Sequence, residues 1–298
     1  MIVAQPMVAA DTRDLCGEHP LWDERSATLY WTDITGRRLH GLRSGDRVEL
    51  IQQVTEISGF TLNKPRGFTV VNGQGIWLWD GANDWRLIAR DSFNDCIADA
   101  EGRLLAGSIH YDPEREDYAL GHLVSVTASG ETNILDEGFR LSNGLAFSPD
   151  NRTLYFADSA ARVIFAYDYN LAQGSVANRR ILARFSAEDG LPDGLAADAS
   201  GFLWCAFWFG GCILRIDPEG AIERRVELPV SQTSSLTFGG PDLTDIYVTT
   251  AAKPDALELA PPGYDPNKVD SGGKLYRLNL GIAGLSAHRT RINLALKS

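Results

Sequence analysis

The 298-residue chain contains no run of 18 or more apolar residues, so nothing in it reads as a membrane-spanning helix. Cations are scarce: 28 Lys and Arg stand against 39 Asp and Glu, a formal net charge of −11. Phosphate binding needs clustered cations, so no nucleic-acid partner is expected. The four cysteines (Cys16, Cys96, Cys205 and Cys212) form no CxxC pair. That spacing argues against a thiolate zinc site or a disulfide framework and leaves reduced, buried thiols. The first residues, MIVAQPMVAADTRDLCGEHP, show neither a basic stretch nor a cleavage pattern. No secretion signal is therefore expected, and a cytoplasmic location follows. GxSxG, GxGxxG and P-loop patterns are all missing, which leaves no signature of an elbow serine or a nucleotide cofactor. Long segments with a 3.6-residue apolar period are missing too.

What is present is a set of short apolar and aromatic runs separated by Gly, Asp, Asn and Pro turns. TLYWTDI, GFTVV, RLLAGSI, TLYFADS, FLWCAFW and DIYVTTA begin near residues 28, 67, 103, 153, 202 and 245. Their anchors, Leu29, Phe68, Leu104, Leu154, Leu203 and Ile246, are spaced by 36 to 50 residues. A period of about 43 residues is that of a four-stranded propeller blade. A second set repeats behind the first: RLHGL, GIWLWD, HLVSV, VIFAYD, CILRID and KLYRL. The expected architecture is all-β, a single six-bladed β-propeller domain over residues 1–298, with residues 1–10 supplying a strand to the last blade.

In a propeller the innermost strand of each blade borders the central channel, so the first residues of these strands converge. Aligning the repeats puts Glu18, Ser58, Asn94, Asn143, Asp193 and Ser234 at one position. A lone Asn-Gly or Asp-Gly is ordinary turn chemistry. Carboxylates and amides at matching points of a repeat form a ring. Such an oxygen-rich ring suits a hard divalent cation, with Glu18 and Asp193 neutralising its charge and Asn143 or Asn94 adding an amide oxygen. Without the ion, the two carboxylates repel and at least one pKa rises. His110 and Tyr111 follow blade three and are candidates for the pocket lining. Trp208 is a candidate wall for a sugar face, although a tryptophan in a β-rich core usually only packs.

The phrases LCGEHPLWDERSATLYWTDI, FNDCIADAEGRLLAGSI, SNGLAFSPDNRTLYFADS, PDGLAADASGFLWCAFW and LTFGGPDLTDIYVTTA closely resemble the SMP-30/gluconolactonase family, in the family's order. The resemblance covers roughly residues 14–280 and implies a six-bladed propeller and a metal-dependent sugar lactonase. It implies metal ligands at Glu18, Asn143 and Asp193, and a substrate contact at Asn94. Ser92 stands where many relatives carry an arginine that holds sugar hydroxyls, Cys96 replaces a common glycine, and Asp112 matches an acidic pocket residue. The expected reaction is hydrolysis of a five- or six-carbon aldonolactone to the sugar acid in carbohydrate catabolism. One divalent cation (Ca, Mg, Mn, Zn or Fe(II)) takes part, and Asp193 serves as both ligand and general base. The substrate-binding set is Asn94, Ser92, Asp112 and His110, and no protein partner is required. The rival readings are a promiscuous esterase or phosphotriesterase, and a non-catalytic calcium-binding regulatory protein.

Overall fold

The computed structural model describes residues 5–43, 47–53, 56–115 and 118–294. Six antiparallel four-stranded sheets account for its strands, and the described residues contain no α-helix. Blade one begins at Gly17–Asp23, blade two at Gly59–Leu62 and blade three at Phe93–Ala98. Blades four, five and six begin at Ser142–Phe147, Leu191–Ala197 and Thr233–Gly239. These six inner strands touch their neighbours in sequence, and the blade-six strand packs against that of blade one, closing the circle.

The second strand of each blade is wedged between its neighbours on both faces. Thr28–Asp33, Phe68–Asn72, Leu104–Ser108 and Leu203–Trp208 are buried almost throughout. Burial on both faces explains why LWCAFW reads as a continuous apolar run rather than an alternation. The outer strand Ser175–Arg184 is mostly exposed and correspondingly polar. The core is six wedges, each between adjacent blades; that between blades four and five joins Tyr155 and Ile164 to Leu203, Phe207 and Leu214.

Met7–Ala10 pairs antiparallel with Leu275–Asn279 and completes blade six from the front of the chain, as expected for part of residues 1–10. Residues 1–4 lie outside the described set. One element was not anticipated: the segment after Leu275–Asn279 crosses the far end of the channel and bonds to every blade. Gly284 donates to the Leu243 carbonyl at 2.8 Å, and the Ala283 carbonyl accepts from Ala199 at 2.8 Å. His288 Nε2 meets Asn151 at 3.0 Å, and Arg289 pairs with Asp23. Thr290 donates its N–H to Leu62 at 2.9 Å, while Arg291 and Asn293 donate to Gly102 and Ala128 at 2.8 and 2.9 Å. Leu285, Ser286, Ala287 and His288 of the strap line a cavity of about 390 Å³ at that end of the channel. No described helix is long and apolar enough to cross a membrane.

Candidate metal centre and active site

All the ring residues but Ser58 sit where inner strands depart from regular pairing. Register shifts fall between Glu18 and Leu21, Phe93 and Asp95, Ser142 and Leu145, Pro192 and Leu195, and Thr233 and Ser235. A bulge re-aims side chains that a regular strand would alternate, so consecutive residues can both face the channel. The lead-in is clamped from the second strand: Asp33 accepts from Cys16 N–H at 3.0 Å. Asp158 accepts from Arg140 and Leu141 at 2.8 and 3.1 Å. The glycines after Asn143 and Asp193 serve close approach between inner strands. A Cβ on Gly144 would meet the Asp193 carbonyl at 2.4 Å, and one on Gly194 the Ser235 hydroxyl at 2.1 Å.

Glu18, Ser58, Asn94, Asn143 and Asp193 line one cavity of about 160 Å³, together with Asp95, Ile109, Ser159, Trp208 and Asp255. Burial pushes the Glu18 carboxyl up to about 8, with Asp95 adding repulsion and the His19 N–H, 2.9 Å away, countering it. Asp193 is raised well above the carboxylate range by burial, then by Glu18 and Asp95; the Asn143 amide draws it partly back. Asp193 Oδ1 is buried with no hydrogen-bond partner. Asn94 spends its Nδ2 on the Ser142 carbonyl at 2.9 Å, and Asn143 spends its own on Ser159 Oγ at 3.2 Å. Each amide therefore offers its oxygen. Two destabilised carboxylates, one of them with an orphaned oxygen, and two amide oxygens are the donor set of a hard divalent cation, so these residues fit the expected ion.

Other expected residues lie elsewhere. Ser234 turns away and donates to the Gly17 carbonyl at 2.5 Å, bridging blades six and one. Ser92 is absent from the cavity lining; its carbonyl accepts from Ile109 at 2.8 Å and its hydroxyl lies toward Gly73. A serine is too short to span the gap that an arginine would. Asp112 caps its own turn, accepting from Glu114 N–H at 3.0 Å, and His110 faces Asp91 at 3.3 Å. Asp95 was not anticipated, because a strand neighbour of Asn94 should point the other way; only the bulge signals it. Asp95 Oδ1 holds His19 Nδ1 at 2.8 Å, and His19 Nε2 meets the Phe60 carbonyl at 2.6 Å. Trp208 is packed at 8% exposure and borders the cavity, its indole N–H reaching the Asp255 carbonyl at 3.3 Å.

The chain is 31% identical over 291 residues to the pentonolactonase XacC of Haloferax volcanii, covering 95% of this chain and 97% of that one. It is 33% identical over 282 residues to the regucalcin of Xenopus laevis, covering 91% and 93%. Among solved structures, a calcium-binding protein, regucalcin, from Agrobacterium tumefaciens superposes with a TM-score of 0.84 at 25% identity, covering 97% of this chain and 98% of that one. Residues 16–252 match the SMP-30/Gluconolactonase/LRE-like region, a span that contains every ring residue, and the chain belongs to that family.

Proposed function

We propose that the protein hydrolyses the ring ester of a five- or six-carbon sugar lactone, with one divalent cation held by Glu18, Asn143 and Asp193. The observation that carries this reading is the buried, unpartnered Asp193 Oδ1 beside a second buried carboxylate, at the mouth of a monosaccharide-sized cavity. The family's lactonase members, such as the pentonolactonase, agree with it. Oxygen ligands favour a hard ion of the Mg, Ca or Mn type.

When bound, the cation polarises the lactone carbonyl and makes a bound water more acidic. The chain's own residues do the rest. Asp193, already strained toward protonation by burial, takes the proton that the attacking water loses. Asn94, with its Nδ2 fixed on Ser142, presents its Oδ1 to a sugar hydroxyl and holds the ring in a near-attack pose. Trp208, anchored through its N–H, offers a flat surface to the sugar's C–H face. The water oxygen bonds to the carbonyl carbon, the carbonyl–ring-oxygen bond breaks, the ring oxygen takes the proton held by Asp193 and becomes a hydroxyl, and the acid loses its remaining proton to solvent and leaves as a carboxylate. The four cysteines are free thiols, in keeping with work in a reducing cytoplasm.

The test is a pH-drop assay over pentono- and hexonolactones with Ca, Mg, Mn, Zn and Fe(II) in turn. Cation-dependent turnover is expected, lost in Asp193→Ala. Near-normal turnover in that variant, or none across the panel with wild type, refutes the assignment.

A further inference from the structure

We propose that Asp91, His110 and His122 form a second cation site, of a different chemical class, at the root of the loop beside the cavity mouth. Their ligating atoms all lie within 4.8 Å of one another. His110 Nε2 is 3.3 Å from Asp91 Oδ1, and His122 Nε2 is 3.1 Å from Asp91 Oδ2. Tetrahedral ligation with bonds of about 2.0–2.1 Å spaces donor atoms about 3.3 Å apart. The two imidazole–carboxylate separations, each to its own oxygen of Asp91, are close to that spacing, and one small ion would sit between the three groups after a modest turn of the side chains.

The three side chains come from three chain segments. Asp91 lies in the connection between blades two and three, His110 just beyond the strand Leu104–Ser108, and His122 on the strand Gly121–Val126. None is sealed: their side chains are 23%, 28% and 22% exposed, which leaves room for water as a further ligand. Supports already hold two of them. Ser92 N–H donates to Asp91 Oδ1 at 2.8 Å, and the His122 ring meets Phe93 edge-on at 6.4 Å. Two nitrogens and one carboxylate favour borderline first-row ions such as zinc(II) or cobalt(II) over magnesium or calcium. The oxygen-rich ring has the opposite preference, so the two sites sort their ions.

Placement gives the second ion a task. His110 and His122 bracket the segment 111–121, and the ion would tie both of its ends to the Asp91 connection. Tyr111 of that segment donates to Glu258 at 2.7 Å. Ile109, next to His110, and Asn94, three residues beyond Asp91, both line the cavity. A cation at this clasp would stiffen the rim from which those two residues project.

The test measures binding and not turnover, so its result stands apart from the lactonase reading. Chelator-stripped full-length protein is dialysed against zinc(II) and its metal content determined, with cobalt(II) absorption as a report on imidazole ligation. The Glu18→Gln/Asp193→Asn double variant is expected to keep one zinc and a histidine-ligated cobalt spectrum. His122→Ala and Asp91→Asn, checked for fold by circular dichroism, are each expected to lose that ion. Their affinity should fall at least ~100-fold, since even a ligand's supporting partner is worth 10–100-fold. If the double variant binds no zinc, or folded His122→Ala and Asp91→Asn bind as much as their parent, the site does not exist.

Discussion

Asp193 concentrates the electrostatic cost of the site in one side chain, and the cost is reversible. Burial holds its carboxyl toward the protonated form when no cation is bound, so replacing it by Asn costs the empty site little. Cation-free Asp193→Asn is therefore expected to melt no lower than wild type, while its cation-induced rise in Tm disappears and turnover falls by roughly 10²–10⁴-fold, the usual scale of a general base. Glu18 gives the pH counterpart. Its carboxyl titrates near 4.5 in an unfolded chain and near 8 when folded. Between those values the folded protein holds a proton that the unfolded chain has released, so rising pH favours unfolding. Chelated protein should lose about 1.4 kcal/mol of stability per pH unit across that window from Glu18 alone. Denaturant melts at pH 5, 6.5 and 8 check the slope; saturating cation should flatten it. Gly194 offers a purely steric test: a methyl group there would sit 2.1 Å from Ser235 Oγ. Gly194→Ala is expected to cost about 1–3 kcal/mol by overpacking, read from the urea midpoint.

Among the strands, the inner ones show which features local sequence can carry. Their positions were legible because turns and apolar runs recur every 36 to 50 residues. Glu18, Asn94, Asn143 and Asp193 stood out as polar residues heading those runs. Asp95 did not, because strand alternation assigns it to the opposite face, and the shift between Phe93 and Asp95 is set by packing against neighbouring blades. Ser234 heads its strand like the others, yet the Gly17 carbonyl beside it claims its hydroxyl. Ser92 and Asp112 rest on the family resemblance and His110 on its place after blade three, and no repeat constrains the direction of any of them. The C-terminal strap, GIAGLSAHRTRIN, has neither alternation nor helical period and takes its shape from six sets of turns beneath it. Thr290 shows how tightly: fully buried, its hydroxyl lies 2.7 Å from that of Thr69 and 2.9 Å from Asn63 Oδ1. Asn63 Oδ1 keeps the Ile292 N–H at 3.0 Å, but Thr290→Val strands the Thr69 hydroxyl and should cost about 1–3 kcal/mol, measurable as a lowered urea midpoint with the cation site still able to bind.

At the scale of the whole molecule, closure is distributed. Blade six is assembled from both ends of the chain, Met7–Ala10 beside Leu275–Asn279, so the circle cannot close until the last blade has been made. Deleting residues 1–10 should lower Tm and, by loosening the packing of blade six against blade one, weaken cation binding at Glu18. Calorimetry and cation titration would read the two effects together. Unchanged values in both would show that the strand is dispensable. In the intact ring, saturating cation adds stability by mass action, about 2.7 kcal/mol at a hundred times Kd.

The exposed carboxylate of Asp255 borders the cavity that the lactone enters. A lactone arrives uncharged and its acid forms as an anion, so Asp255 weakens the hold on the product and leaves the neutral substrate untouched. Charge alone thus tells spent ligand from fresh. Asp255→Asn should strengthen competitive inhibition by the sugar acid while leaving the initial rate on fresh lactone nearly unchanged, and progress curves that bend earlier than those of wild type would reveal it.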